Sequence, residues 1–223
     1  MTRVHLVTED RTGGGLAAVL CAEAEHQRKL CGKARLQFSA KPSTVNGNAE
    51  LLKQCEKYEL FRFNYSPRCD HVFYVIDARN AWDLPQLKVQ APSPPYEQSL
   101  PAFIHTICGR LAEIARGSRT EQQWAAISSG FHAHVLVWER ESLILPVADR
   151  LGLGNAVMEV YTARRAAESV GDLFRGLGKR RKYDKAIDGP EYLQRIADDV
   201  QLRAIVLESN PSLRTIVDEL VSL

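Results

Sequence analysis

No uninterrupted apolar run in this chain approaches the roughly 20 residues needed to cross a bilayer. The opening MTRVHLV passes straight into TEDRTGGG without a signal-peptide cleavage pattern. These absences argue against membrane helices and lead us to expect a cytoplasmic protein. Five cysteines, Cys21, Cys31, Cys55, Cys69 and Cys108, make an odd number with no CxxC pair. That excludes a zinc knuckle and fits no disulfide framework, so reduced thiols are expected. Charge of one sign is lacking too: the net charge of +2 is too small to argue for nucleic acid by itself. Gly13-Gly14-Gly15 lacks the GK[ST] ending of a P-loop, and the chain has neither a cofactor fingerprint nor a nucleophile motif.

What is present is apolar content. With 223 residues, 45% of them hydrophobic, the chain can bury a substantial core. We read residues 1–223 as one domain, with an α/β core over 1–151 and a helical extension over 152–223. Residues 4–8 form a short β-branched run, a first strand. The glycine turn then leads into a helix over 16–30, with Leu16, Val19, Leu20 and Ala24 near helical spacing. Residues 34–39 suggest a second strand, and Asn48 suits the cap of a helix over 49–58. His71 to Ile76 is the clearest strand, apolar almost throughout as one buried on both faces should be. It stops at Asp77.

After the proline-rich connector 91–95, Phe103, Ile104, Ile107, Leu111 and Ile114 predict a helix over 100–115. Residues 131–138 read as a fourth strand, with a helix beginning in 143–151. Helices are expected over 155–173, 190–206 and 212–221. Strands alternating with helices imply a mainly parallel sheet flanked by helices, with ligands at the carboxyl ends of the strands.

Acids end three of those strands: Glu9, Asp77, and Glu139 with Glu141. Gathered at one sheet edge, carboxylates need a neutralising cation, and Mg2+ or Mn2+ suits hard oxygen ligands. The alternative is that they are exposed turn and capping acids.

Glu9 before a glycine turn into a helix, and Asp77 at the end of an apolar strand, resemble the two acidic motifs of the Toprim domain. The segment from Trp138 through Glu139 and Glu141 to Leu145 is similar to a strand-to-helix segment of small stand-alone Toprim-like proteins. So are Tyr183-Asp184-Lys185 through Asp188-Gly189 and Asn210-Pro211-Ser212-Leu213. That resemblance implies a Toprim-like α/β fold with a helical C-terminal third. It also implies kinship with the nuclease half of the overcoming-lysogenization-defect proteins, and a nuclease working with an ABC-type ATPase in antiphage defence. Glu9 and Asp77 would bind Mg2+ or Mn2+, Glu141 would be a further ligand or base, and Lys185 or Lys182 would stabilise the transition state of phosphodiester hydrolysis. Arg79 departs from the family, standing where a second aspartate belongs; Asp83 lies further along. The departure favours an adaptor that binds phosphate without cutting it.

Three other features stand outside this pattern. Gly13-Gly14-Gly15 is better read as a tight turn than as an anion site. His132 and His134 share a strand face and are read as structural. Arg175, Lys179, Arg180, Arg181, Lys182 and Lys185 form a basic loop, in which Arg180, Arg181 and Lys182 could meet DNA or RNA phosphates or acids on a protein partner. Homo-oligomerisation is left open.

Overall fold

The computed structural model describes residues 1–9, 15–39, 43–44, 47–64, 68–156, 165–178 and 182–223. Two compact units emerge. The first comprises Met1–Arg11, Ala34–Ile76 and Asn80–Val135, and the second Thr12–Lys33, Asp77–Arg79 and Leu136–Leu223. The second unit thus starts before residue 152.

Strands β1 (Arg3–Thr8), β2 (Gln37–Phe38), β3 (Ser43–Thr44), β4 (His71–Asp77) and β5 (Phe131–Leu136) form one sheet in the order β2-β1-β4-β5, with β3 also paired to β1. β2 and β3 share one edge of β1: Arg3 aligns with Gln37 and Val7 with Ser43. β1 is parallel to β2, β3 and β4. The bonds from Val72 N–H to the Gly130 carbonyl (2.8 Å) and from Ala78 N–H to the Leu136 carbonyl (2.9 Å) advance in the same direction, so β5 is parallel as well. The α/β class, the parallel sheet and the helical C-terminal part follow the sequence expectation. Among the described residues no helix is long and apolar enough to cross a membrane.

In the first unit, every β4 residue after His71 is buried, as a central strand requires. Helices α2 (Asn48–Glu56) and α3 (Tyr96–Arg116) pack together, and α2 also meets β1. Tyr74 Oη donates to the Gln54 carbonyl at 3.2 Å, fixing β4 to α2. Phe131 gathers Tyr58 (5.2 Å), Tyr74 (5.3 Å) and Trp124 (5.6 Å) around its ring. Such pairs each add about 0.5–1.5 kcal/mol beyond area burial. Trp124 comes from α4 (Glu121–Ser128), which the sequence reading missed.

The second unit contains α1 (Gly15–Leu30), α5 (Ala166–Gly176), α6 (Asp188–Asp198), α7 (Val200–Ser209) and α8 (Pro211–Ser222). α1 packs on α6 and α8. Its first residue must be small: a β-carbon on Gly15 would lie 2.9 Å from Leu193 Cβ and 3.2 Å from Pro190 Cα. Arg28 donates to the carbonyls of Leu220 (3.2 Å) and Val221 (2.9 Å), satisfying groups at the α8 C-terminus that have no partner within the helix.

Several boundaries differ from expectation. Gly47, with φ 91°, precedes α2, and Asn48 is its first residue rather than its cap. The stretch expected to open a helix at 143 forms short 3-10 turns, Arg140–Leu143 and Leu145–Val147, where Pro146 supplies no N–H. The single helix expected over 190–206 is two. Asp199 interrupts it because its side chain accepts from Gln201 N–H (2.8 Å) and Leu202 N–H (3.2 Å), capping α7. α3 starts earlier than expected, at Tyr96, with Pro101 inside it. Residues 157–164 of the helix expected over 155–173, Gly13 and Gly14 of the glycine turn, and Lys179, Arg180 and Arg181 of the basic loop lie outside the described residues.

Candidate functional site

The second unit holds a buried cluster of charge assembled from four segments. β4 ends in Asp77, and Arg79 follows two residues later, with its N–H bonded to the Trp138 carbonyl at 2.9 Å. Glu139 lies in extended backbone three residues past β5. The Arg140–Leu143 turn then closes through Ser142, whose hydroxyl donates to the carbonyls of Glu139 (2.6 Å) and Val137 (3.1 Å). Leu143 and Ile144, fully buried, hold that turn inward. The consequence is that Glu139, Arg140 and Glu141 are all buried.

α5 supplies the third segment. Ala166, Val170 and Phe174 are its buried stripe, at helical spacing, and Glu168 lies off that stripe. The fourth is the run 183–189. Asp188, itself buried, accepts from Asp184 N–H at 2.7 Å, and Asp184 Oδ1 accepts from Ala186 N–H at 2.8 Å, so both sides of Lys185 are held in a turn. The Lys185 carbonyl accepts from Arg140 Nη2 at 2.6 Å. Tyr183 rests edge-on against Phe174, ring centroids 6.0 Å apart.

The charges interlock. Glu139 Oε1 accepts from Arg79 Nη1 (2.6 Å) and from Ala167 N–H (3.0 Å), while its Oε2 accepts from Lys185 Nζ (2.7 Å). Arg79 also grips Glu168 with both terminal nitrogens, Nη2 to Oε1 at 2.6 Å and Nη1 to Oε2 at 2.9 Å. Glu141 Oε1 accepts from Arg140 Nε (3.2 Å) and the Tyr183 hydroxyl (3.3 Å), and Glu141 Oε2 stands 3.3 Å from Lys185 Nζ. Space is tight: a β-carbon on Gly189 would meet the Tyr183 hydroxyl at 3.0 Å and Glu141 Oε1 at 3.2 Å.

Protonation follows this geometry. Burial alone would lower the Lys185 pKa, but the charges of Glu141 and Glu139, with Asp77 adding to them, hold it above the ordinary range. Hydrogen bonding to Glu168 raises Arg79; partial burial opposes the rise and Glu139 adds to it. The same bond lowers Glu168. Burial, then the Glu141 charge, pushes the Tyr183 phenol up. At neutral pH Lys185 and Arg79 are therefore fixed cations and Tyr183 is a neutral donor.

Of the residues expected from sequence, Asp77, Glu139, Glu141 and Lys185 belong to this cluster. Glu9 belongs to the first unit, half-buried just after β1. Its carboxylate lies by the start of α2, where a β-carbon on Gly47 would be 3.9 Å from Oε1, a location that suits a negative charge. Asp83 is exposed and also in the first unit. Lys182 is exposed, and Arg180 and Arg181 are not described. His132 Nε2 shares a hydrogen bond with His71 Nδ1 at 2.9 Å, and the Phe73 ring stacks on His132 at 4.2 Å and on His134 at 5.5 Å. Sequence reasoning missed Glu168 and Arg140 as members of the cluster.

Among the described residues no group of three or more His, Cys, Asp or Glu is arranged to hold a metal ion. The carboxylates of the cluster are nevertheless hard oxygen donors, the type that Mg2+ takes. Among the described residues the cluster sets Asp77, Glu139, Glu141, Glu168 and Asp188 against Arg79, Arg140 and Lys185, and Arg165 also acts on Glu168. Glu141 Oε2 is buried and, among the described residues, has the Lys185 ammonium at 3.3 Å beside it but accepts no hydrogen bond. Mg2+ usually binds one or two carboxylates and completes its shell with water and phosphate.

No protein-family model, curated protein or solved structure matches the chain.

Proposed function

We propose that the chain is a Toprim-like, Mg2+- or Mn2+-dependent nuclease subunit that hydrolyses nucleic-acid phosphodiesters beside an ABC-type ATPase in antiphage defence. The observation that carries the reading is the convergence of the buried carboxylates Asp77, Glu139 and Glu141 with the half-exposed Lys185 at and beyond the ends of β4 and β5. Asp77 and Glu141 would hold the cation; when bound, it would polarise a phosphoryl oxygen and lower the pKa of a water. Lys185 keeps its proton at neutral pH, so it acts as a fixed positive charge towards the charge gathering on a phosphorane rather than as a general acid. Glu139 and Arg140 position it, one through the ammonium and the other through the carbonyl. The ATPase partner, the nucleic-acid substrate, the basic residues Arg180, Arg181 and Lys182 that would contact it, and the metal role of Glu9 rest on the sequence resemblance.

A non-catalytic adaptor is the second reading, favoured by Arg79, a cation in the place of an acid and doubly anchored to Glu139 and Glu168. Plasmid DNA and total RNA incubated with the purified chain and its ATPase partner in Mg2+ or Mn2+ separate the two. Cleavage lost in Asp77→Ala, Glu141→Gln and Glu9→Ala supports the nuclease. Absence of cleavage, or cleavage indifferent to Asp77→Ala and Glu141→Gln, refutes it.

A further inference from the structure

Glu139 does something unusual for a buried carboxylate: it holds two cations that both retain access to solvent. Its own side chain is 1% exposed, whereas Arg79 on Oε1 is 24% exposed and Lys185 on Oε2 is 46% exposed. A buried acid flanked in this way braces the two bases from behind and leaves each partly open to solvent. Arg79 uses that outer face to take Glu168 in a two-pronged grip, at 2.6 and 2.9 Å. A guanidinium fork meets a carboxylate and a phosphate with the same planar, paired geometry. Glu168 is therefore shaped like a stand-in for an anionic ligand.

The two carboxylates on Arg79 differ in how readily they yield. Glu139 is buried and cannot turn to water to make up for the loss of Arg79. Glu168 is 52% exposed, so on release its carboxylate exchanges the guanidinium for water. An arriving anion thus displaces Glu168 and leaves the Glu139 contact intact. Glu168 lies off the buried stripe of α5, so its side chain can swing into water while Ala166, Val170 and Phe174 stay packed.

We propose that Arg79 and Lys185, braced by Glu139, form a phosphate-binding cradle and that Glu168 is its displaceable cover. The ligand class is a phosphate or phosphodiester group, with Arg79 gripping two oxygens and Lys185 adding a point charge. Arg79 is then a ligand-binding residue rather than a lost metal ligand. The phosphodiester as ligand rests on the nuclease reading; the cradle and its cover stand on the ion pairs alone.

Calorimetric titration of the full chain with orthophosphate, at low ionic strength and with EDTA to remove divalent cations, tests it. A parallel arm uses a short oligonucleotide lacking terminal phosphates, and tighter binding of one ligand identifies monoester or diester as the preferred form. Glu168→Gln removes the competing charge and should tighten binding by up to about fivefold. Arg79→Gln should abolish saturable binding, and Arg79→Lys, which keeps the charge without the fork, should recover part of it. Thermal melts of each variant report folding; Glu168, being half-exposed, is the variant least able to disturb it. Glu168→Gln binding no tighter than the parent protein, or Arg79→Gln binding as well as the parent, overturns the cradle. Phosphate binding that responds to Glu168→Gln with no cleavage in any metal refutes the nuclease reading and leaves the cradle standing.

Discussion

Lys185 Nζ lies 2.7 Å from Glu139 Oε2, joining residues 46 positions apart and fixing the run 183–189 to the chain just beyond β5. Because the opposite oxygen of Glu139 holds Arg79 and the Ala167 N–H, this carboxylate joins three segments of the second unit.

Glu139→Ala should therefore destabilise the protein by about 1–3 kcal/mol, since Ala167 N–H loses its acceptor while Arg79 and Lys185 keep Glu168, Glu141 and solvent. Glu139→Gln, which keeps an acceptor for Ala167 N–H, should lose less. Urea unfolding measures both; a midpoint for Glu139→Ala equal to that of the parent protein would show that the network carries no stability.

Acid should weaken the first unit through His5. Burial lowers its pKa from 6.5 to about 4, and its ring is stacked on Phe61 at 4.8 Å. The folded state thus keeps His5 neutral while the unfolded chain takes up a proton below pH 6.5, so stability falls as pH drops from about 6.5 to 4 and this contribution levels off below. The full loss is on the order of 3 kcal/mol. His5→Phe should remove this part of the pH dependence, read as the difference between unfolding midpoints at pH 7.5 and 4.5. An unchanged difference would count against the assignment.

Asn210 is fully buried and serves two elements. Its Oδ1 accepts from Leu213 N–H at 3.0 Å, capping α8, and its Nδ2 donates to the Val137 carbonyl at 3.1 Å. Asn210→Ala should cost about 2 kcal/mol by removing both. Asn210→Ser, which can still cap, should recover part of this in chemical denaturation; equal losses would mean that the cap contributes nothing.

At Gly15 two effects oppose each other. Alanine is favoured over glycine in a helix by up to about 1 kcal/mol. Overpacking costs about 1–3 kcal/mol, and the backbone of Pro190 cannot move aside as a flexible side chain could. Gly15→Ala should therefore lower the thermal midpoint. A rise would mean that α1 and α6 separate easily.

The central strand was legible because a residue buried on both faces must be apolar on both, and Val72 to Ile76 obey that without interruption. The break between α6 and α7 was not, since Leu193 with Ile196 and Leu202 with Val206 each keep helical spacing; the overlooked signal is that the two pairs would fall on opposite sides of one continuous helix. α4 buries none of its residues, so it has no apolar stripe to read. Its start was written in the capping box of Thr120 and Gln123, a spacing that repays inspection even where hydrophobic pattern is absent. In the site, Asp77, Glu139 and Glu141 were visible as acids at strand ends. Arg79 was visible only as a misplaced cation, because its partner Glu168 is 89 positions away and no local pattern links them.

Ala78 and Arg79 stay hydrogen-bonded to Leu136 and Trp138 beyond the limits of β4 and β5. Asp77 and Arg79 therefore take their spacing relative to Glu139 from a rigid peptide ladder instead of a loop. A side chain exchanged at either position alters the charge presented without altering its address, which makes this part of the chain a natural place to convert a phosphate receptor into a metal-holding site, or the reverse, by single substitutions.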